Sequence, residues 1–169
     1  MNREILEECD WEFNEEELKN TPDRVKRFVD EWNDNDFNFT MFDNPDYDEM
    51  IVLKDIEFSS ICSHHLLPFH GHGSIGYIPD KKICGISKLA RALDKFAHRP
   101  QTQEKLTQDL GDFLEEKLKP KGLMIVLEAQ HDCMRIRGVK KKESNMVTSV
   151  VRGVFKKNEV RQEFLELIK

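Results

Sequence analysis

Two clusters of cysteine and histidine contain side chains that bind transition metals. In Cys62-Ser63-His64-His65, the Cys-x-x-His spacing allows a thiolate and an imidazole to close on one zinc ion. His131-Asp132-Cys133 adds a second thiol and a further imidazole. A structural zinc site uses four protein ligands, whereas a catalytic site uses three and leaves the fourth position for water. The surplus histidines favour the catalytic type, because they are free to transfer protons.

Two groups of basic residues could bind an anion. Lys88 directly follows Ser87 at the predicted start of a helix, and Arg91 lies one turn later on the same side. The N–H groups and dipole of that helix start would add to the attraction. Arg135 and Arg137 alternate with apolar residues and are predicted to point to one side of an extended segment. Solubility or ion pairing within the chain is the alternative for each residue taken alone.

Three further polar residues have more than one possible role. Glu104, at the start of a second predicted helix, either complements the helix dipole or accepts two N–H groups from a guanine edge. His70 and His72 lie two positions apart, on one face of a predicted strand. That pair could chelate a metal, but a solvated strand face is the favoured interpretation.

The composition is that of a globular protein without a membrane span. Of the 169 residues, 38% are hydrophobic and 34% are charged, and no apolar run approaches the ~20 residues that cross a bilayer. The net charge of −6 argues against broad, non-specific nucleic-acid binding. The first residues lack the apolar core of a signal peptide, so we expect a cytoplasmic protein. In that reducing compartment the four cysteines are expected to be thiols or metal ligands.

The hydrophobic patterns predict one α+β unit with mostly antiparallel strands, in the core order β-β-α-α-β-β. Thr21-Pro22 is typical of a helix start, and residues 33–48 are predicted to form a long surface loop. We expect residues 1–48 to form an N-terminal helical region and residues 49–169 to form the core. The predicted strands lie within 50–61, 74–78, 123–127 and 146–155, and the predicted helices within 87–97, 106–118 and 159–168.

Six motifs in order make the chain similar to GTP cyclohydrolase I over nearly its whole length. They occupy residues 21–25, 62–69, 85–91, 99–107, 128–134 and 137–139, and residues 148–149 and 153–155 also resemble that family. The resemblance implies the tunnelling fold (T-fold), in which an antiparallel sheet with two helices on one face assembles into a ring, usually a homodecamer. Ser63 replaces a Glu that is common in the family, and Lys105 replaces an Arg.

The resemblance also implies roles for individual residues. The implied zinc ligands are Cys62, His65 and Cys133. The implied catalytic residues are His64, His131 and Ser87. The residues implied to recognise guanine are Gln103 and Glu104. Those implied to hold the ribose and triphosphate are Ser87, Lys88, Arg91 and Arg137, with Arg24 and Arg27 of a neighbouring subunit.

The implied reaction is hydrolysis of GTP at C8, release of formate and rearrangement to 7,8-dihydroneopterin triphosphate. Zinc would activate water, and no redox cofactor is needed because the net change is hydrolysis plus isomerisation. One alternative is a 7-cyano-7-deazaguanine reductase-like enzyme, which uses a cysteine nucleophile and a nicotinamide cofactor. It needs no metal, so the second cysteine argues against it. The other is a zinc-stabilised binding module without activity, its site closed by Cys62, His65, His131 and Cys133.

Overall fold

The computed structural model describes residues 4, 8, 12–33 and 37–169. The chain divides between residues 35 and 36 into two compact units. Cys9 and part of the predicted loop over 33–48 lie outside the described residues. No described helix is long and apolar enough to cross a membrane.

The first unit contains helix α1, Glu15–Asn33. Its start is fixed by a capping box, in which the Glu17 N–H donates to Asn14 Oδ1 and the Asn14 N–H donates to a Glu17 carboxylate oxygen, both at 2.9 Å. The predicted start at Thr21-Pro22 is therefore wrong, because the reciprocal pair begins the helix earlier and Pro22 lies inside it. The proline removes only one helical hydrogen bond, which the flanking turns tolerate here.

The second unit contains the predicted core order together with several shorter elements. Its strands are β1 (Met41–Asp43), β2 (Ile51–Cys62), β3 (Pro68–Ile78), β4 (Lys82–Cys84), β5 (Pro100–Gln101), β6 (Gly122–His131) and β7 (Asn145–Gly153). Its helices are α2 (Ile86–Ala97), α3 (Gln103–Leu118), α4 (Asp132–Arg135) and α5 (Asn158–Leu167), with a 3₁₀ turn over Val154–Lys156 before α5.

The main sheet has five strands in the order β5-β2-β3-β6-β7. All neighbours pair antiparallel except β2 and β5, which are parallel. β1 and β4 form a separate antiparallel pair, so the segment predicted as a continuous loop contains a short strand. That strand is fully exposed and only three residues long, which leaves little hydrophobic signal in the sequence.

The apolar core lies between one face of the main sheet and the helices α2 and α3. Along β2, Ile56, Phe58, Ser60 and Cys62 alternate with more exposed residues, so Cys62 points to the same helix-covered side as the core residues. A smaller apolar cluster, centred on Phe155 and Phe164, is formed where the 3₁₀ turn and α5 close the chain.

The strand directions bring several segments together at one end of the sheet, which we call the site end. There β2 ends, β3 begins at Pro68, α3 begins and β6 ends at His131. The N-terminus of α2 lies at the opposite end, because it follows β3 and β4. Tyr77, near the last residue of β3, accepts a hydrogen bond from the Cys84 N–H at 3.3 Å through its hydroxyl. From Pro68 to Tyr77 the strand spans about 30 Å.

Candidate active site

Cys62, His65 and Cys133 come together at the site end of the sheet. One potential ligand atom from each residue lies within 4.8 Å of those of the other two. Cys62 is the last residue of β2, His65 lies in the connection to β3, and Cys133 lies in α4 directly after β6. The pairing of β3 with both β2 and β6 brings two segments together that are about 70 positions apart in the sequence.

Two tight turns give this group its shape. In the first, the Cys62 N–H donates to the Leu67 carbonyl and the Leu66 N–H donates to the Cys62 carbonyl, both at 2.9 Å. Leu66 has a left-handed backbone with φ of 54°, which turns the chain sharply beside His65.

The second turn lies where an extended segment was predicted to carry Arg135 and Arg137, and that prediction is wrong. Residues 132–135 form one helical turn, stabilised by an ion pair of 3.1 Å between Asp132 and Arg135. Arg135 is therefore tied to its own turn. Arg137 lies beyond it, and its Nη1 donates to His65 Nε2 at 2.8 Å.

The donor set of this group fits a zinc ion. Metal–ligand distances of about 2.0–2.3 Å place the donors of a tetrahedral zinc about 3.3–3.8 Å apart, so only a small closure is required. Burial raises the pKa of the Cys133 thiol, the neighbouring Cys62 raises it further, and Arg137 opposes both effects. Two thiols this close disfavour joint ionisation, whereas a divalent cation between them favours it. Two thiolates and an imidazole are also the soft donors that zinc accepts.

Two further histidines lie beside the group. His64 is exposed, and its Nδ1 lies 3.8 Å from Cys62 Sγ. The His131 ring stacks on Phe69, its cross-strand neighbour, with ring centres 4.6 Å apart and an interplanar angle of 4°. Burial lowers the pKa of His131, and the negative charge of Glu104 opposes that effect. His131 is not a member of the close metal-binding group.

Gln103 and Glu104 begin α3, but the structure gives them different surroundings. Glu104 is exposed in the first turn, close enough to affect His131 electrostatically. Gln103 is 0% exposed, and its carboxamide contacts His131 and groups of β6 and β7. A direct contact of Gln103 with guanine would therefore require these hydrogen bonds to break.

Ser87, Lys88 and Arg91 do not join the metal group within one chain. They lie in the first half of α2, whereas it is the last residue of that helix, Ala97, that contacts Gln101 beside Cys62. Gly85, the N-cap of α2, makes no side-chain cap hydrogen bond, and the Lys88 N–H donates to the Gly85 carbonyl at 2.8 Å, so the first-turn N–H groups that an anion could use are those of Ile86 and Ser87.

The remaining predicted site residues lie in the first unit. Arg24 donates to a carboxylate oxygen of Glu16 at 3.0 Å, and Arg27 is exposed on α1.

Some contacts of the site were not predicted from the sequence. Phe69, which stacks on His131, and the two threonines beside Gln103, Thr107 and Thr148, have no charge or metal-ligand chemistry to single them out. Only the strand register, which pairs Phe69 with His131, could have indicated the first of them. His70 and His72 are exposed on β3, in agreement with the predicted solvated face.

Comparison with known proteins gives one consistent result. A family model described as GTP cyclohydrolase I matches residues 1–169. A protein named GTP cyclohydrolase 1 from Sulfurihydrogenibium sp. is 47% identical, and the match covers 98% of this chain and 90% of the relative. Another of that name, from Aquifex aeolicus, is 49% identical, and the match covers 99% of this chain and 92% of the relative. A third, from Wolinella succinogenes, is 58% identical over 127 residues, covering 75% of this chain and 68% of its own.

A solved structure supports the fold. The apo form of an archaeosine synthase QueF-Like matches with a TM-score of 0.51, covering 62% of this chain and 93% of its own. At 16% identity the likeness concerns the fold alone, and it agrees with the predicted T-fold. Matches to the family model and to these relatives over nearly the full length establish that the chain belongs to the GTP cyclohydrolase I family.

Proposed function

We propose that this chain hydrolyses GTP at C8, releases formate and forms 7,8-dihydroneopterin triphosphate. The observation that carries the proposal is the grouping of Cys62, His65 and Cys133 within 4.8 Å, next to His131, in a chain of this family. Three donors leave one position of a tetrahedral metal for water, as in catalytic zinc sites.

Zinc is the metal proposed for this group, held by Cys62, His65 and Cys133. When bound, it would supply a Lewis acid that makes water nucleophilic at neutral pH. The chain's own contribution is to hold the three donors on two tight turns and to cover Cys62 with the core. A neutral imidazole has one lone pair, so binding of zinc by His65 would release Arg137 from the His65 ring and leave its guanidinium free beside the group.

The two remaining histidines are proposed to transfer protons. His131 is fixed by stacking and by a hydrogen bond, and its lowered pKa favours the neutral ring, which can accept a proton at pH 7. His64 is exposed next to Cys62 and can exchange protons with solvent. Glu104 is proposed to accept the two N–H groups of the guanine edge, since its exposed carboxylate lies close enough to affect His131.

The topology supports a site shared between copies of this chain. Ser87, Lys88 and Arg91 lie in the first half of α2, and Ser87 lies roughly 15 Å along the helix axis from Ala97, whose carbonyl contacts Gln101 beside Cys62. We propose that a second copy of the chain supplies these residues to the triphosphate. A homo-oligomer, and the homodecameric ring in particular, is therefore part of the proposal, as is the phosphate role of Arg24 and Arg27. The division of the chain into an N-terminal helical region, residues 1–48, and a core, residues 49–169, stays a prediction.

The geometry favours neither alternative function. A closed zinc module would need His131 as a fourth ligand, but His131 lies outside the close group of Cys62, His65 and Cys133. The reductase-like alternative would use one cysteine as a nucleophile, whereas two cysteines and a histidine converge here. The QueF-Like match is too distant in sequence to carry function.

Incubation with GTP tests the proposal. The zinc-loaded chain should convert GTP to a product that becomes a fluorescent pterin on oxidation, whereas ATP should yield none. A zinc-replete, folded protein that leaves GTP unchanged would refute the proposed reaction. Zinc content alone does not separate the enzyme from a binding module.

A further inference from the structure

A network of hydrogen bonds holds the carboxamide of Gln103 in one orientation. The two N–H groups of its Nε2 face three acceptors, which are the carbonyls of Leu127 and Met146 at 3.1 and 3.0 Å and Thr148 Oγ1 at 3.0 Å. Carbonyl oxygens only accept, so the Gln103 atom that faces them must be the nitrogen. The reversed orientation would press Oε1 against two carbonyl oxygens in a fully buried residue.

The neighbouring hydroxyl groups agree with this orientation. Thr107 Oγ1 donates its only proton to the Gln103 carbonyl at 2.7 Å. It must therefore accept from Thr148 Oγ1, which is also 2.7 Å away. Thr148 has then used its own proton, so its oxygen is left to accept from Gln103 Nε2. The donors form a closed circuit that returns to Gln103, and every hydroxyl proton in it has an acceptor.

The oxygen end of the same carboxamide faces His131. Gln103 Oε1 lies 2.8 Å from His131 Nε2. An amide oxygen can only accept, so Nε2 must carry a proton, and in the neutral ring Nδ1 keeps its lone pair. Stacking on Phe69 holds the plane of the ring, and the hydrogen bond to Gln103 Oε1 selects the orientation that points Nε2 at the carboxamide.

We propose that Gln103 is a positioning residue, which holds His131 as the Nε2–H tautomer and makes Nδ1 the nitrogen that exchanges a proton during the reaction. This inference rests on the proposed function for its catalytic consequence, but not for the tautomer itself. It also gives Gln103 a different role from guanine recognition. A positioning residue acts on the rate of the chemical step, whereas a residue that contacts guanine acts on GTP binding.

The tautomer can be measured directly on the full-length, zinc-loaded chain. Solid-state NMR of sedimented protein with ¹³C,¹⁵N-labelled histidine distinguishes a protonated Nε2 from a protonated Nδ1, whatever the size of the assembly. The His131 signals are those lost in His131→Asn, and the measurement is made at about pH 8, where neutral imidazole dominates. We expect a protonated Nε2 and an unprotonated Nδ1. A protonated Nδ1, or an equal mixture, would overturn the proposal without any substitution at Gln103.

A matched pair of variants tests the role of the carboxamide. Gln103→Met keeps the length of the side chain but removes the acceptor, and should give a mixture of His131 tautomers. Gln101→Met is the control, because Gln101 is also buried but its carboxamide donates to the Phe96 and Ala97 carbonyls of α2. It should leave the tautomer unchanged. Loss of the Nε2–H preference in both variants would mean that packing, and not Gln103, sets it.

Kinetics of the same variants separate positioning from substrate contact. In Gln103→Met, kcat for GTP should fall by about 10- to 100-fold while KM changes by less than about threefold. A raised KM with an unchanged kcat would instead support guanine contact and sink the positioning role. If the wild-type chain shows no turnover of GTP, the proposed function fails, while the tautomer measurement still decides the structural claim.

Discussion

Cys133 is the cysteine ligand whose replacement should disturb the fold less. It is half-buried in a four-residue helix at the edge of the core, whereas Cys62 is 6% exposed within it. We expect Cys133→Ser to abolish stoichiometric zinc binding and to lower GTP turnover by about 100-fold or more, because a thiolate donor is lost. Zinc content by atomic emission and turnover by pterin fluorescence check both effects.

The control for that variant is Cys84→Ser. Cys84 is a half-buried thiol next to the Tyr77 hydroxyl, outside the metal group. The Cys84→Ser protein should keep its zinc and its activity. Full zinc content and full turnover in Cys133→Ser would show that the proposed ligand set is incorrect.

Glu104 is the residue proposed to select guanine. Glu104→Gln replaces one acceptor by a donor, so that a guanine N–H would face an N–H group in the site. We expect kcat/KM for GTP to fall by about 100-fold, because a site built on hydrogen bonds rejects a mismatched edge strongly.

Glu116→Gln is the matched control for Glu104. It changes an exposed carboxylate near the other end of α3, which pairs only weakly with Lys117 at 3.8 Å. Circular dichroism and thermal melting show whether either variant alters folding. Equal kcat/KM values for GTP in the wild type and in folded Glu104→Gln would remove Glu104 from the base-binding site.

The elements differ in how far their sequences predict them. The sequence predicts β2 and β6 well. Buried residues alternate with more exposed ones along the end of β2, and they are nearly continuous along β6. The start of α1 was missed because Thr21-Pro22 has the same local chemistry as a true start, while the Asn14–Glu17 capping box gives an earlier one. α4 has only four residues, too few for a helical period, and its ion pair could not be told from two solvated charges.

Close backbone contact between β3 and β6 leads to a prediction for Gly71. A Cβ atom added there would lie 1.9 Å from the Glu128 carbonyl oxygen and 2.7 Å from the Ala129 Cα, and backbone cannot move aside as a side chain can. Gly71→Ser should therefore lower the free energy of unfolding by about 1–3 kcal/mol, and by more if the strands separate locally. Urea unfolding followed by circular dichroism measures it.

The same substitution at Gly85 is the control. A Cβ there meets nothing closer than 3.7 Å, the backbone is extended, and serine is a favourable N-cap. Gly85→Ser should leave the stability unchanged or raise it slightly. A Gly71→Ser protein as stable as Gly85→Ser would contradict the described register of β3 and β6.

At the scale of the whole molecule, the metal group lies at the site end, and the cations of α2 lie in the half of that helix farther from it. The sequence placed Lys88 between two of the site's motifs, so proximity along the chain suggested proximity in space. β3 runs from the site end to the far end of the sheet before the chain reaches Cys84 and α2, so this helix begins far from the metal group. Only the three-dimensional structure reveals this separation. The shared site was expected to need a neighbour's Arg24 and Arg27, and the topology extends that expectation to α2.

A mixing experiment tests the shared site. Arg91→Ala and Cys133→Ser subunits, each nearly inactive alone, should regain about a quarter of the wild-type activity when refolded together in equal amounts, because one in four random interfaces is intact. Tagging one subunit and recovering both confirms that they assemble together.

Cys62→Ser mixed with Cys133→Ser is the matched control for complementation. Both residues belong to the metal group of one chain, so no interface regains a complete set and no activity should return. Co-assembled Arg91→Ala and Cys133→Ser subunits that stay as inactive as this control would contradict a site shared through α2.

The most direct test of the proposed function follows the carbon that the reaction removes. Zinc-loaded chain is incubated with GTP labelled with ¹³C at C8, and the products are recorded by NMR. The account predicts that the label leaves as formate, in equal amount to the pterin triphosphate formed, and that removing zinc with a chelator stops both. Retention of the label in the purine, or pterin formation that continues at full rate without metal, would contradict it.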